Sequence, residues 1–200
     1  MIKLALGLRP KTKAMDDRDK AFSGGMANLR PTFVAALKDK RGGVLAPDAN
    51  STLRITYGTV RGYSPRPNAN VYYPFTALSG VIAKNQGKDD FEAPKALLDA
   101  FAAKKFGNYV DKKLQEVPVD FLSDLDITGG NSGSPTLNAK GDLVGLAFDG
   151  NYEAMASNWL FIPDVTRSIH VDIRYVLWVA DAVTHADNIL AELGVTPSAR

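Results

Sequence analysis

The stretch DITGGNSGSPTLNAKGDLVGLAFDGN, residues 126–151, combines a glycine-rich loop with a predicted β-hairpin. Pro135–Asn138 and Asp142–Phe148 have strand-like composition, and Ala139-Lys140-Gly141 between them is typical of a hairpin turn. Val117–Leu122, just upstream, also predicts a strand. The glycine-rich loop therefore lies between a strand and a hairpin.

Ser132 lies in this loop with small neighbours, so a peptide carbonyl can approach its Oγ. The N–H groups of Gly130 and Ser132 could then converge on the oxyanion of a tetrahedral intermediate. The same residues could equally form an ordinary Gly/Ser-rich turn or a nest of N–H groups that binds an anion. Pro135 and the hairpin after it favour the nucleophile, because the loop then resembles the Gly-Asp-Ser-Gly-Gly-Pro loop of chymotrypsin-like serine peptidases. Ser134 excludes the Gly-x-Ser-x-Gly elbow of α/β-hydrolases.

Composition indicates an ordinary globular chain. The 200 residues are 45% hydrophobic and 23% charged, with a net charge of +2, which is too balanced to indicate nucleic-acid binding. The basic excess is local, since residues 1–41 contain ten basic and four acidic side chains. No apolar run approaches the roughly 18 residues of a transmembrane helix, and the interrupted apolar start at residues 1–10 gives no signal peptide.

Several further elements are predicted from periodicity and end signals. Residues 11–41 look helical in pieces, with Pro31 at a helix start, and residues 51–60 alternate like a strand. Residues 94–114 predict a helix that stops near Gly107, and residues 171–183 form an amphipathic segment. Thr184 and Asp187 resemble a capping box that begins a last helix.

The histidines and cysteines limit the chemistry. The chain has no cysteine, and its two histidines, His170 and His185, both follow Ser132. In chymotrypsin-like folds the general-base histidine precedes the serine. We therefore expect surface or structural roles for both histidines and an incomplete catalytic triad.

The combined pattern resembles the S46 family of bacterial dipeptidyl peptidases. The residues that carry the resemblance are TGGNSGSP, GLAFDGN at 145–151, VDIRY at 171–175, PDANSTLRITYGTVRGY at 47–63 and PFTALSG at 74–80. It implies a mainly β fold with flanking helices, in which this chain holds the C-terminal barrel of a chymotrypsin-like double barrel. Residues 1–41 would be the remnant of a helical domain, 42–170 the catalytic barrel and 171–200 the C-terminal helices, all as a fragment of a longer polypeptide.

The resemblance also implies roles for four residues. Ser132 matches the nucleophile, and the Gly130 amide matches part of the oxyanion hole. Asp149 matches an acidic residue that holds the free α-amino group of the substrate. Gly150 matches a position in the S1 pocket that is arginine in members selecting acidic P1 residues and glycine in members preferring apolar ones, so we expect an apolar P1.

Two rival hypotheses remain open. Asp126 lies six residues before Ser132, where trypsin-like endopeptidases place the acid that selects basic P1 residues. We expect a structural hydrogen-bonding role for it instead. The chain could also be a non-catalytic module that binds peptide N-termini through Asp149 and the amides of Gly130 and Ser132.

The remaining expectations concern partners and location. We expect peptides with a free N-terminus as partners, without nucleic acid, metal, other cofactor or membrane span. The family implies a periplasmic or cell-envelope location and a homodimer for the full-length protein.

Overall fold

The computed structural model describes residues 2–42, 45, 52–157 and 160–200. They fall into two compact units, residues 1–53 and 54–200. The first contains helix α1, Ile2–Arg41, with Pro10 and Pro31 inside it. Pro31 therefore lies inside a helix and does not begin one as predicted. A proline removes only its own N–H from the hydrogen bonding of the helix, and the turns on either side keep their hydrogen bonds. Among the helices of the described ranges, none is both long and apolar enough to cross a membrane.

A five-stranded antiparallel sheet organises the second unit. Its strands are β1 (Phe75–Ala77), β2 (Pro118–Ser123), β3 (Pro135–Leu137), β4 (Leu143–Gly150) and β5 (Ser168–Asp172). The spatial order is β1-β2-β5-β4-β3. The predicted strand before the loop and the predicted hairpin after it are thus confirmed as β2 and the β3–β4 pair.

Four short helices accompany this sheet. They are α2 (Leu78–Lys84), α3 (Lys95–Ala102), α4 (Ile173–Trp178) and α5 (Asp187–Glu192). Single turns of 3₁₀ helix lie at Asp89–Phe91, Gly107–Tyr109 and Tyr152–Ala156, and a π-helical turn, Val179–Val183, continues α4. The helix predicted over 94–114 is therefore shorter than expected.

The apolar core lies between these helices and the sheet. Leu78, Val117 and Trp178 are at most 1% exposed and belong to one cluster. The indole Nε1 of Trp178 donates to the Lys105 carbonyl at 2.8 Å, which satisfies the one polar atom of the ring. The core thus joins α4 to the chain that follows α3.

The central strand β5 buries polar side chains. Ser168, His170 and Asp172 are at most 2% exposed, whereas Ile169 and Val171 between them are half-buried. Each buried side chain has a partner: Ser168 Oγ donates to the Leu125 carbonyl, His170 lies between two hydroxyls, and Asp172 accepts from Arg174. Hydrogen bonding therefore offsets the cost of burying this polar face.

Two further sequence predictions differ from the structure. Within the described part of 51–60, only Val60 forms a bridge, to Ser123, and residues 53–59 are irregular. The capping box is also wrong, because Thr184 Oγ1 donates back to the Val179 carbonyl at 3.1 Å and α5 begins after Ala186. The division at 41/42 and 170/171 stays a prediction.

Candidate active site

Two glycines in left-handed conformation flank Ser132. Gly130 has φ +103° and Gly133 has φ +85°, values that favour glycine over residues with a Cβ. The Gly133 N–H donates to the Ala147 carbonyl of β4 at 2.7 Å, which fastens the loop to the sheet. The Ser132 side chain is left exposed.

The loop uses its N–H groups unevenly. Those of Asn131, Gly133 and Ser134 donate to backbone carbonyls at 3.1, 2.7 and 2.9 Å. The N–H groups of Gly130 and Ser132 donate to no acceptor within the described residues. The two amides assigned to an oxyanion are therefore among those, with Gly129, that the described loop does not use for its own shape.

A cavity of about 250 Å³ opens beside the loop. Ser132, Asp149 and Gly150 all line it, so the structure brings together three of the four residues predicted from the sequence. Gly130 does not line it, although its neighbour Gly129 does. A nucleophile candidate and the two substrate-binding candidates thus share one space.

A bulge in β4 orients Asp149. Ala147 pairs with His170 and Asp149 with Ile169, so β4 contains one extra residue, Phe148, at this point. A bulge re-aims the side chains beside it. Phe148 and Asp149 are consequently both exposed, and both line the cavity.

The Asp149 carboxylate is available to a ligand. Its Oδ1 accepts a hydrogen bond from the adjacent Gly150 N–H at 2.8 Å, and it forms no ion pair with a cation of the described residues. Asp149 lies within β4 rather than in a turn. An ammonium group entering the cavity would therefore meet an unpaired carboxylate.

Gly150 lies at a close contact at the end of β4. A Cβ at this position would lie 3.0 Å from the Ala154 Cβ and 3.6 Å from the Arg167 carbonyl oxygen. The 3₁₀ turn that contains Ala154 thus closes against the strand, and the absence of a side chain at Gly150 permits this approach.

Asp126 does not join the site. Its side chain is exposed and does not line the cavity, and no described residue donates the structural hydrogen bond that was expected. Asp124 does have such donors. Its carboxylate accepts from the N–H and Oγ1 of Thr59 at 2.6 and 3.1 Å and from Arg61 Nη1 at 3.4 Å.

Both histidines have structural surroundings. His170 is fully buried, with Nε2 2.6 Å from Ser123 Oγ and Nδ1 2.8 Å from Thr136 Oγ1, and its ring stacks on Phe121 at 4.7 Å. His185 is exposed, and its Nδ1 lies 2.8 Å from the Asp181 carbonyl. Neither ring lines the cavity with Ser132, which agrees with the surface or structural roles expected for both histidines.

Asn151 and Arg167, which sequence reasoning missed, also line the cavity. Asn151 Oδ1 accepts from the Arg167 N–H at 2.8 Å, and the Asn151 N–H donates to the Arg167 carbonyl at 2.9 Å. These bonds join the end of β4 to the start of β5. No local motif marks either residue, since the partners are 16 positions apart.

Comparison with known proteins gives a consistent set of relatives. The Asp/Glu-specific dipeptidyl-peptidase of Shewanella putrefaciens is 42% identical over 96% of this chain and 29% of its own length. Dipeptidyl-peptidase 7 of Porphyromonas gingivalis is 43% identical over 80% of this chain and 22% of its own. The chain thus spans less than a third of the length of either relative.

Solved structures agree with these relatives. The crystal structure of Porphyromonas endodontalis DPP11 in complex with substrate matches with a TM-score of 0.87 and 33% identity, over 97% of this chain and 28% of that one. The same protein in complex with the dipeptide Arg-Asp matches with a TM-score of 0.80 and 36% identity, over 88% and 25%. These matches confirm the fold class. Because the family model for Peptidase S46 matches residues 1–195 as well, the chain belongs to the S46 peptidase family.

Proposed function

We propose that this chain supplies the nucleophile and the substrate-binding wall of an S46 dipeptidyl peptidase, which releases dipeptides from peptide N-termini. The observation that carries the proposal is the single cavity lined by Ser132, Asp149 and Gly150. The dipeptidyl-peptidase names of the relatives support the same reaction class.

In the proposed mechanism Ser132 Oγ loses its proton to the general base and attacks the carbonyl carbon of the second substrate residue. The peptide C–N bond then breaks, the shortened peptide leaves as an amine that takes up this proton, and the dipeptide remains on Ser132 as an acyl-enzyme ester. The negative charge on the carbonyl oxygen of the tetrahedral intermediate is stabilised by the N–H groups of Gly130 and Ser132. Because those donors have no partner within the described chain, they need not break a hydrogen bond to receive it. The acyl group is then hydrolysed by water.

We assign no residue of this chain as the general base. Both histidines of this chain lie away from the cavity, and the ring nitrogens of His170 are occupied by hydroxyl groups. We assign the base and its orienting carboxylate to the portion of an S46 peptidase that this chain does not span. The 200-residue chain alone should therefore turn over substrate very slowly.

We propose that Asp149 fixes the distance between the substrate N-terminus and the nucleophile Ser132. An exopeptidase that removes two residues must fix the α-ammonium group at a set distance from the nucleophile, and a carboxylate opposite the ammonium does so. A charge-assisted hydrogen bond of this kind contributes about 1.5–3 kcal/mol, or roughly 10- to 100-fold in affinity.

We propose a preference for apolar P1 side chains, based on Gly150. A glycine supplies space and no cation, so an acidic P1 gains no partner at this position. The relatives include both an Asp/Glu-specific dipeptidyl-peptidase and a dipeptidyl-peptidase 7 at similar identity, so similarity does not decide between the two specificities. A trypsin-like preference for basic P1 residues has little support, because Asp126 does not line the cavity.

A binding module is the second candidate. Asp149 and Gly150 line the cavity together with Ser132, while no histidine of the described residues does. This arrangement predicts that the isolated chain binds a peptide with a free N-terminus and releases it unchanged.

Hydrolysis and binding measurements separate the candidates. Dipeptidyl fluorogenic substrates, free or N-acetylated, are incubated with the chain and with Ser132→Ala, and binding is followed with Asp149→Asn as the matched variant. We expect binding that needs the free amine and Asp149, with turnover only when the remainder of an S46 peptidase is supplied. Equal cleavage of the acetylated substrate would instead identify an endopeptidase.

We also propose the periplasm or cell envelope as the location, and a homodimer for the full-length protein, on the family resemblance alone.

A further inference from the structure

The guanidinium group of Arg167 is enclosed by backbone carbonyls. The residue is 1% exposed. Nε and Nη2 donate to the Gly62 carbonyl at 3.2 and 3.1 Å, Nη1 to Pro163 and Thr166 at 2.8 and 2.6 Å, and Nη2 also to Asp164 at 2.9 Å. A guanidinium has five N–H donors, so all of them are occupied.

This cation has no carboxylate partner. Within the described residues Arg167 forms no ion pair, and the carboxylate of nearby Asp124 is already bound by Arg61. The Tyr63 ring lies 5.7 Å from the guanidinium carbon and covers one face. Burial lowers the pKa of Arg167, yet an arginine remains protonated in proteins. The carbonyl groups therefore satisfy its hydrogen bonds, and the carboxylates of Asp124 and Asp164 act on its positive charge from beyond ion-pair distance.

Arg167 lines the same cavity as Ser132 and Gly150. The other charged residue of that lining is Asp149, which the proposed function assigns to the substrate α-ammonium. Once that ammonium is bound, Arg167 is the charged residue left in the lining, and Asp124 and Asp164 offset its charge only from beyond ion-pair distance. A second cation entering beside Gly150 would meet it in a partly desolvated space, where like charges repel more strongly than in water.

We infer that Arg167 is a specificity-determining residue, which excludes lysine and arginine from P1 by charge while serving as a ligand for no side chain. The inference rests on the proposed dipeptidyl-peptidase function. An acidic P1 gains no hydrogen bond either, because each N–H of the guanidinium would first have to leave a carbonyl. Neutral side chains are the class that loses nothing at this wall.

A matched pair of dipeptides tests the inference without catalysis. Valyl-norleucine and valyl-lysine have the same carbon skeleton and differ in the terminal ammonium group of lysine, which adds the charge at P1. Their affinities for the 200-residue chain are measured by NMR chemical-shift titration. We expect the norleucine peptide to bind on the order of 10-fold more tightly. Arg167→Gln should reduce the ratio to about 2-fold, whereas Arg167→Lys, which keeps the charge with fewer donors, should retain it.

The outcomes distinguish the inference from the function on which it rests. If neither dipeptide binds, the proposed function fails and the inference fails with it. If both bind equally to the wild type, or if folded Arg167→Gln keeps the wild-type ratio, the inference alone is overturned. Circular dichroism checks the fold of each variant. Should Arg167→Gln unfold, loss of the ratio in a folded Arg167→Lys would overturn the inference in its place.

Discussion

Acidification should destabilise the second unit through His170. Burial lowers the pKa of this imidazole to about 4, whereas an unfolded histidine titrates near 6.5. Between these two values the unfolded chain binds more protons than the folded one, so the free energy of unfolding decreases as pH falls below about 6.5. The loss at pH 4.5 relative to pH 8 is about 2.5 kcal/mol from this one group. Below the folded pKa the difference stops growing.

Urea denaturation at a series of pH values measures this effect, with tryptophan fluorescence as the probe because Trp178 is fully buried in the core. His170→Gln is the matched control, since its amide can still bond Ser123 and Thr136 but does not titrate. Carboxylates titrate in both proteins, and the difference between the two pH profiles isolates the imidazole. Parallel profiles from pH 8 to 4.5 would refute the reasoning, because they would mean that His170 protonates without cost in the folded chain.

Three further substitutions have defined outcomes. Gly145→Ala places a Cβ 2.6 Å from Phe121 Cε1 and should lower the unfolding free energy measured by urea denaturation by about 1–3 kcal/mol. Gly80→Ala, whose Cβ would have no atom of the described residues within 4 Å beyond its chain neighbours and its helix backbone, should be neutral or stabilising. Equal stability of the two variants would contradict the packing argument. Gly150→Arg should raise the affinity for a glutamate P1 over a glutamine P1 on the order of 10-fold, measured by titration, and an unmoved ratio would place P1 elsewhere. Asp181→Ala removes a fully buried acceptor of four hydrogen bonds and should lower the unfolding free energy by about 3 kcal/mol. A loss below about 1 kcal/mol would show that water replaces the carboxylate.

Local turn chemistry explains why the hairpin was predictable. Asn138 Oδ1 accepts from the Lys140 and Asp142 N–H groups, and Gly141 has φ +86°, so the turn is specified by residues within four positions of each other. The strands on either side then pair with each other. The Ser132 loop is local in the same way, since its glycines provide the left-handed conformations that its shape requires.

Residues 51–60 show where such reasoning fails. Ile55 and Tyr57 alternate with polar residues, yet they are 85% and 91% exposed, and pairing begins at Val60. Strand propensity measures how well a side chain packs on a sheet, so it indicates a strand only where a neighbouring strand exists. Ser51 lies outside the described residues.

The site was predictable to the extent that its residues are near each other in sequence or match a family motif. Ser132, Asp149 and Gly150 fall within 19 positions and meet in one cavity. Arg167 could not be assigned, because its surroundings depend on the Gly62 carbonyl, 105 positions away. An arginine between Thr166 and Ser168 gives no indication that it will be buried.

The polar face of β5 has a consequence for the geometry of the cavity. A strand with a uniformly apolar buried face can slip by two residues and replace one hydrocarbon contact with another. β5 cannot, because Ser168 and His170 each have a different partner, and a slip would leave both buried without one. The same alignment sets Asp149 opposite Ile169 and Gly150 opposite Ser168. Hydrogen bonds buried in the sheet thus fix the register that positions Asp149 and Gly150, the two residues of β4 assigned to the substrate.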